Sequence, residues 1–188
     1  MKERGYMSTN SVVAYLRSDG SIVSSYVHYD GYETGVGMTL LEHYNSDERA
    51  LAVSVGGYYS SLSEDLNESL EKSAHTEEVE MFDSMSEFEE YLRENSHLEF
   101  GYVWTEGRWL VSSWSREEVG FGYDARYEST WMGFHDLARS FVREGRKTVE
   151  RLRSYGNEYE DYADTLEETI DRYHRSSMRE IAEEAISA

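Results

Sequence analysis

With 188 residues the chain is sized for one domain with a real core and room for an appended helical piece, and its 38 acidic against 18 basic residues leave a formal charge of −20. A field of that sign repels nucleic acid and anionic membranes and favours basic partners, so direct DNA or RNA binding is not the expected activity. There is no cysteine, which excludes disulfides, thiolate nucleophiles and cysteine-held zinc or iron–sulfur centres, and neither an apolar run of about eighteen residues nor a signal-peptide pattern is present, so no membrane association is expected.

The charge is uneven. Met1 to Phe100 carries 20 acids and 6 bases, and within it Ser63 to Glu99 holds 13 acids against Lys72 and Arg93. Of the 18 bases 15 are arginine, a bias that suits planar, bidentate pairing better than point-charge solvation.

In chain order, Val12 to Leu16 is β-rich, Ser18-Asp19-Gly20 is a strong turn signal and Ile22 to Tyr29 resumes strand composition, which predicts a hairpin. Asp30-Gly31 is expected to end the second strand. Val36, Leu40, Leu41 and Tyr44 then fall at helical spacing, with Thr34 as the expected cap. Asp47 to Val55 predicts a second short helix that Gly56-Gly57 breaks. Ser60 to Thr76 is serine- and acid-rich and reads as a loop or a weakly held acidic helix. From Ser84 to Asn95 a firmer helix is predicted, because Ser84 with Glu87, or Ser86 with Glu89, makes a capping box ahead of Phe88, Tyr91 and Leu92. Glu99 to Trp104 and Arg108 to Trp114 flank Thr105-Glu106-Gly107 as a second hairpin, and Val119 to Tyr123 adds an edge strand. The expectation is an α+β fold: an antiparallel sheet built from two β-hairpins, with helices on one face.

The last third changes character. Phe134, Leu137, Ala138, Phe141, Val142, Val149 and Leu152 repeat at helical spacing, Ser154-Tyr155-Gly156-Asn157 interrupts, and Tyr159, Tyr162, Ala163, Leu166, Ile170 and Tyr173 resume it. This predicts a C-terminal helical hairpin over residues 129–188, attached to an α+β domain over residues 7–128. Its first arm is basic and its second holds seven acids between Glu158 and Asp171. Either the arms pair with each other, or the basic arm docks the acidic surface of a second subunit to give a homo-oligomer.

Signatures of catalysis are thin, and no catalytic residue, cofactor or metal is assigned. No HExxH, paired-cysteine, GxSxG, Walker or dinucleotide fingerprint is present. His28 and Asp30 share a strand face by their i, i+2 spacing, and with Tyr32 and His43 they form the one candidate small-ligand site, for a nucleotide or for metal-assisted chemistry. The competing reading makes Asp30 and Glu33 turn residues and His28 a half-buried strand residue.

Four stretches, MSTNS (Met7 to Ser11), SDGSI (Ser18 to Ile22), YVHYDGY (Tyr26 to Tyr32) and GVGMTLLEHYNS (Gly35 to Ser46), together with the aromatic hairpin FGYVWTEGRWLV (Phe100 to Val111), resemble a family of small bacteriophage proteins without established catalytic residues. Asn10 stands where that pattern has arginine, and Glu33 replaces its proline. The likeness spans about Met7 to Trp114 and implies a phage accessory protein acting in the host cell cytoplasm.

Charge and resemblance together predict a non-enzymatic acidic protein that binds a basic host protein concerned with defence or nucleic-acid handling, as a DNA mimic in its most specific form. The expected contact residues are Glu77, Glu78, Glu80, Asp83, Glu87, Glu90 and Glu94 in the middle of the chain, and Glu160, Asp161, Asp164 and Glu168 in the last arm, where three- and four-residue steps line helix faces. A virion or assembly role and high-salt adaptation of the surface are the other readings of the same charge.

Overall fold

The computed structural model describes residues 8–71, 79–119 and 126–187. Strands β1 (Asn10–Leu16) and β2 (Ile22–Val27) pair antiparallel. Asp19 fixes their reversal by accepting hydrogen bonds from the Ser21 amide at 3.0 Å and the Ser21 hydroxyl at 2.7 Å. A π-helical turn (Glu33–Gly37) leads into α1 (Met38–His43), so Thr34 lies inside the helical segment and is buried rather than capping it. Helix α2 (Asp47–Ser54) follows, capped by Ser46, whose hydroxyl accepts from the Arg49 amide. Next come β3 (Tyr58–Tyr59), α3 (Leu66–Glu71), β4 (Glu80–Phe82) and α4 (Met85–Glu94). At α4 the Ser84 hydroxyl accepts from the Glu87 amide, and the Glu87 carboxylate accepts from the Asp83 amide, one residue earlier than the usual return bond of a capping box.

The second hairpin joins β5 (Leu98–Thr105) to β6 (Arg108–Val119) with Thr105 opposite Arg108. Glu106 and Gly107, at φ 50° and 75°, form the two-residue turn that the right-handed strand twist favours. The edge strand is β7 (Arg126–Asp136), antiparallel to β6. The strand expected over Val119 to Tyr123 is confined to the end of β6 at Val119, and residues 120–125 lie outside the described residues. Phe134 belongs to β7, and α5 (Leu137–Ser154) starts where Asp136 accepts from the Arg139 amide at 2.9 Å. After a short 3-10 turn (Asn157–Tyr159), α6 (Glu160–Ser187) completes the helical hairpin. The boundary expected between residues 128 and 129 therefore falls within β7, and Leu137, Phe141, Val149, Ala163, Leu166 and Ile170 of α5 and α6 share one core with the sheet.

The sheet runs β3-β2-β1-β5-β6-β7, with β4 beside β3 on the outer edge of β2. It is mixed, not purely antiparallel: β1 pairs parallel with β5, and β2 pairs parallel with β3. The two hairpins meet through their first strands, and parallel neighbours require a crossover, here supplied by the segment from α1 to α4. Helices cover both faces rather than one. Val13 of β1 joins the larger core with α1, α2, α5 and α6, while Val12 and Ala14 join a second core made by Phe82 and by Phe88 and Leu92 of α4. A continuous apolar run such as Val12-Val13-Ala14 is what a strand buried on both faces needs.

Glu106 is a side-chain-bearing residue in left-handed backbone, which costs roughly 1–2 kcal/mol for residues other than glycine or asparagine. Glu106→Asn is therefore expected to stabilise the protein by about 0.5–1 kcal/mol. Urea unfolding reads this directly, and an unchanged free energy would exclude strain at that turn.

Candidate functional site

Close backbone packing builds the bend between β2 and α1. The Gly31 amide donates to the Thr9 carbonyl at 2.8 Å, and a β-carbon at Gly31 would lie 2.7 Å from that oxygen. The Val36 amide donates to the Asp30 carbonyl at 2.8 Å, and the Tyr102 hydroxyl donates to the Gly31 carbonyl at 2.8 Å. Asp30 itself sits at φ 59°. The Asp-Gly-Tyr stretch is thus held by the sheet on one side and by the π-helical turn on the other.

Of the four expected ligand residues Asp30 and Tyr32 pair with each other, whereas His28 and His43 contact other residues. Asp30 accepts from the Tyr32 hydroxyl at 3.0 Å. His28 Nδ1 lies 3.2 Å from the Tyr26 hydroxyl, and its ring meets Tyr29 edge-on. His43, at the end of α1, has its Nε2 4.0 Å from Glu64. Burial, then the charge and hydrogen bond of Asp30, push the Tyr32 hydroxyl up to about 12, so it stays a donor at neutral pH. Among the described residues no group of three or more histidine, aspartate or glutamate side chains is placed to hold a metal.

A different cluster lies just beyond the bend. Glu33, read from sequence as a turn residue, is only 8% exposed. The buried Ser140 hydroxyl on α5 donates to Glu33 Oε1 at 3.2 Å, and also lies 3.2 Å from His135 Nε2 and 3.3 Å from Arg143 Nη2. Donor and acceptor capacities decide how these contacts are made. The Gly133 carbonyl, 2.9 Å from His135 Nδ1, can only accept, so Nδ1 carries a hydrogen. Ser140 has one hydrogen to give and Arg143 can only donate. With its hydrogen given to Glu33, the Ser140 hydroxyl accepts from Arg143. Burial, the largest influence, pushes the Glu33 carboxyl above the ordinary carboxylate range against hydrogen bonds from its own backbone and from Ser140, and it raises the fully buried Tyr102 hydroxyl nearby.

Along the same side of α5, Glu144 gathers two cations. Arg143 Nε lies 2.8 Å and Lys147 Nζ 3.0 Å from its carboxylate. Burial alone would raise the Glu144 carboxyl, but the hydrogen bonds from Lys147 and Arg143 outweigh it and hold the group below its ordinary value. By sequence Arg143 and Lys147 belong only to the basic arm of the hairpin, and Glu33, His135 and Ser140 to no site; the helical spacing of Ser140, Arg143 and Lys147 on one stripe of α5 is the available signal.

The expected acidic contact residues divide by environment. Glu77 and Glu78 lie outside the described residues. Glu80 on β4 is exposed, as are Asp83 ahead of α4 and Glu87, Glu90 and Glu94 along it, the opposite face of the helix burying Phe88 and Leu92. Glu160, Asp161, Asp164 and Glu168 are exposed on α6. There the arms of the hairpin meet through Arg153, which pairs with Asp164 at 2.9 Å and Glu167 at 2.7 Å.

Since the folded pKa of Glu33 is raised, the native state binds more protons than the unfolded chain above the ordinary glutamate range. The stability that this group contributes is therefore complete at low pH and is lost as pH rises through its raised value. Glu33→Gln removes that loss. Between pH 4.5 and 8 the difference in unfolding free energy between variant and parent is expected to move by about 1 kcal/mol in the variant's favour. Urea titrations of both proteins across that range measure it, and a difference that stays constant or moves the other way would contradict the assignment.

No family model matches this chain, and no curated protein or solved structure does either, so the likeness to small phage proteins stands on the sequence motifs quoted above.

Proposed function

We propose that this chain is a non-enzymatic acidic protein whose outer α4 face binds a basic surface of a partner protein. The observation that carries the reading is the disposition of Glu87, Glu90 and Glu94, all exposed on one stripe of a helix whose other side is anchored in the core, with Asp83 exposed just ahead of its cap. The nearby cation, Arg93, directs its Nε to the Glu89 carbonyl. On α6, by contrast, Arg153 already engages Asp164 and Glu167. Exposed carboxylates on a rigid helix attract a basic partner over distance and set its orientation at contact.

Charge density bears on DNA mimicry. From Glu87 to Glu94 the stripe places its three carboxylates about 5 Å apart along the axis at 1.5 Å per residue, whereas one DNA strand carries a phosphate about every 3.4 Å. Helix α4 is thus a sparser track than a DNA strand, and it fits a basic protein groove that recognises spaced anions. In the phage-protein reading of the N-terminal region, that partner is a host defence or nucleic-acid-handling protein in the infected cell.

The test is affinity capture of the tagged chain from host cells, with quantitative mass spectrometry and the triple variant Glu87→Gln, Glu90→Gln, Glu94→Gln run in parallel. Glutamine keeps an acceptor for the Asp83 amide, so the helix cap survives. A basic protein retained by the parent and about tenfold weaker on the variant is expected, with binding that falls as salt rises. Equal retention by both forms, or retention of no basic protein, rules out the α4 face. Displacement of the captured partner by duplex DNA would identify the groove as a DNA-binding one.

A further inference from the structure

We propose that the cleft between α5 and strands β5 to β7 binds a small phosphate monoester carried on an apolar or aromatic group, with Arg143 and Lys147 receiving the phosphate and Phe100 and Met132 the group that bears it. The cleft has a volume of about 310 Å³, the lower end of the range for small-ligand sites. Arg143 and Lys147 stand on its helical wall, kept side by side by their shared carboxylate Glu144. Ser113 and Ser115 from β6 add hydroxyls on the sheet wall, and the Glu33 and His135 pair closes the inner end. The apolar part of the lining comes from Phe100, Trp114 and Met132, the last a large side chain left 44% exposed. A second depression of about 310 Å³ adjoins it through Glu33, Glu144 and Lys147 and brings in Tyr32, Thr148 and Arg151.

Local charge differs from that of the molecule as a whole. Across the two depressions three cations, Arg143, Lys147 and Arg151, stand with two carboxylates, Glu144 and Glu33, and burial favours the neutral form of Glu33. In a chain with 38 acids and 18 bases, cations outnumber carboxylates here, on walls that also carry hydroxyl donors and an apolar floor. A phosphate monoester is the ligand that this set matches: a dianion for two adjacent cations, several acceptor oxygens for guanidinium and hydroxyl donors, and a flat substituent for the floor. The site is independent of the acidic face of α4.

The experiment is isothermal titration of the full chain with adenosine 5′-monophosphate, with adenosine as the uncharged control. The variant is Arg143→Gln with Lys147→Gln, two side chains 62% and 66% exposed, so thermal unfolding should show an unchanged fold. Saturable one-to-one binding of the monophosphate is expected, weakened about tenfold or more in the variant, with no saturable binding of adenosine. Absence of saturable binding by the parent, equal affinity in the variant, or adenosine binding as tightly as the monophosphate would each overturn the proposal.

Discussion

Burial of β1 and β5 on both faces is the constraint from which the rest of the architecture follows. Residues 11–14 of β1 are all buried, and so are residues 101–104 of β5. Two such strands cannot lie at an edge, where one side of each would face water, so they become the centre of the sheet and pair with each other. Both begin a hairpin, and joining them side by side makes them parallel. The chain between them must then cross the sheet, and it spends that crossing on the π-helical turn, α1, α2 and α4. Each face of the central pair receives its own cover: the large core under α1, α2, α5 and α6, the small one under α4.

The same constraint distributes charge. Helix α4 covers a small core and contributes little beyond Phe88 and Leu92 to it, so most of its circumference is free to carry carboxylates. Helix α5 is packed on one side by the sheet and the π-helical turn and on another by α6, where Gly145 admits Ile170 so closely that a β-carbon there would sit 2.7 Å from its Cδ1. Its remaining stripe faces the open part of the sheet beyond the turn, and this is where its cations stand. The carboxylates of α4 thus lie on the small-core face, while Arg143 and Lys147 lie on the face of the large core together with Glu144 and the acids of α6. Separation of this kind leaves the positive stripe away from the carboxylates of α4 that would otherwise neutralise it, an effect that matters because exposed charges more than about 10 Å apart are largely screened.

Local chemistry made much of this legible. The Asp19-Gly20 and Glu106-Gly107 turns announce their hairpins through residue type and spacing, and Ser46 and Ser84 mark helix starts by the same hydroxyl-to-amide bond that sequence rules describe. The acidic stripe of α4 was readable from three- and four-residue steps, since a helix converts that spacing into one face. What depended on non-local pairing was not readable. Nothing near β1 in sequence says that its second neighbour is β5, although Val12-Val13-Ala14 hinted that both faces are covered. Phe134 has the right spacing for the helix that follows, yet it lies in β7, at the irregular step of its pairing with β6, and stacks on Phe88, and the Asp136 cap is the better local mark of where α5 begins. The His28, Asp30, Tyr32 and His43 grouping relied on strand periodicity continuing to Asp30. Strand β2 stops at Val27, and the positive φ of Asp30 turns the chain away.

Glu33 shows why a candidate site can escape a sequence reading. By type and position it is an ordinary turn acid; what makes it unusual is a serine 107 residues later on the helix that closes over it. A buried carboxyl and hydroxyl joined to a half-buried imidazole are not a device for stability, because an apolar residue of similar size is commonly as good or better at such a place. The network centres on the Ser140 hydroxyl, which donates to Glu33 and lies 3.2 Å from His135 Nε2 and 3.3 Å from Arg143 Nη2. It is also built around a π-helical turn, an irregularity that tends to mark working parts of a fold. A network that is costly to bury and set at the inner end of a cleft with a positive rim is better explained by what the cleft receives than by what the core requires.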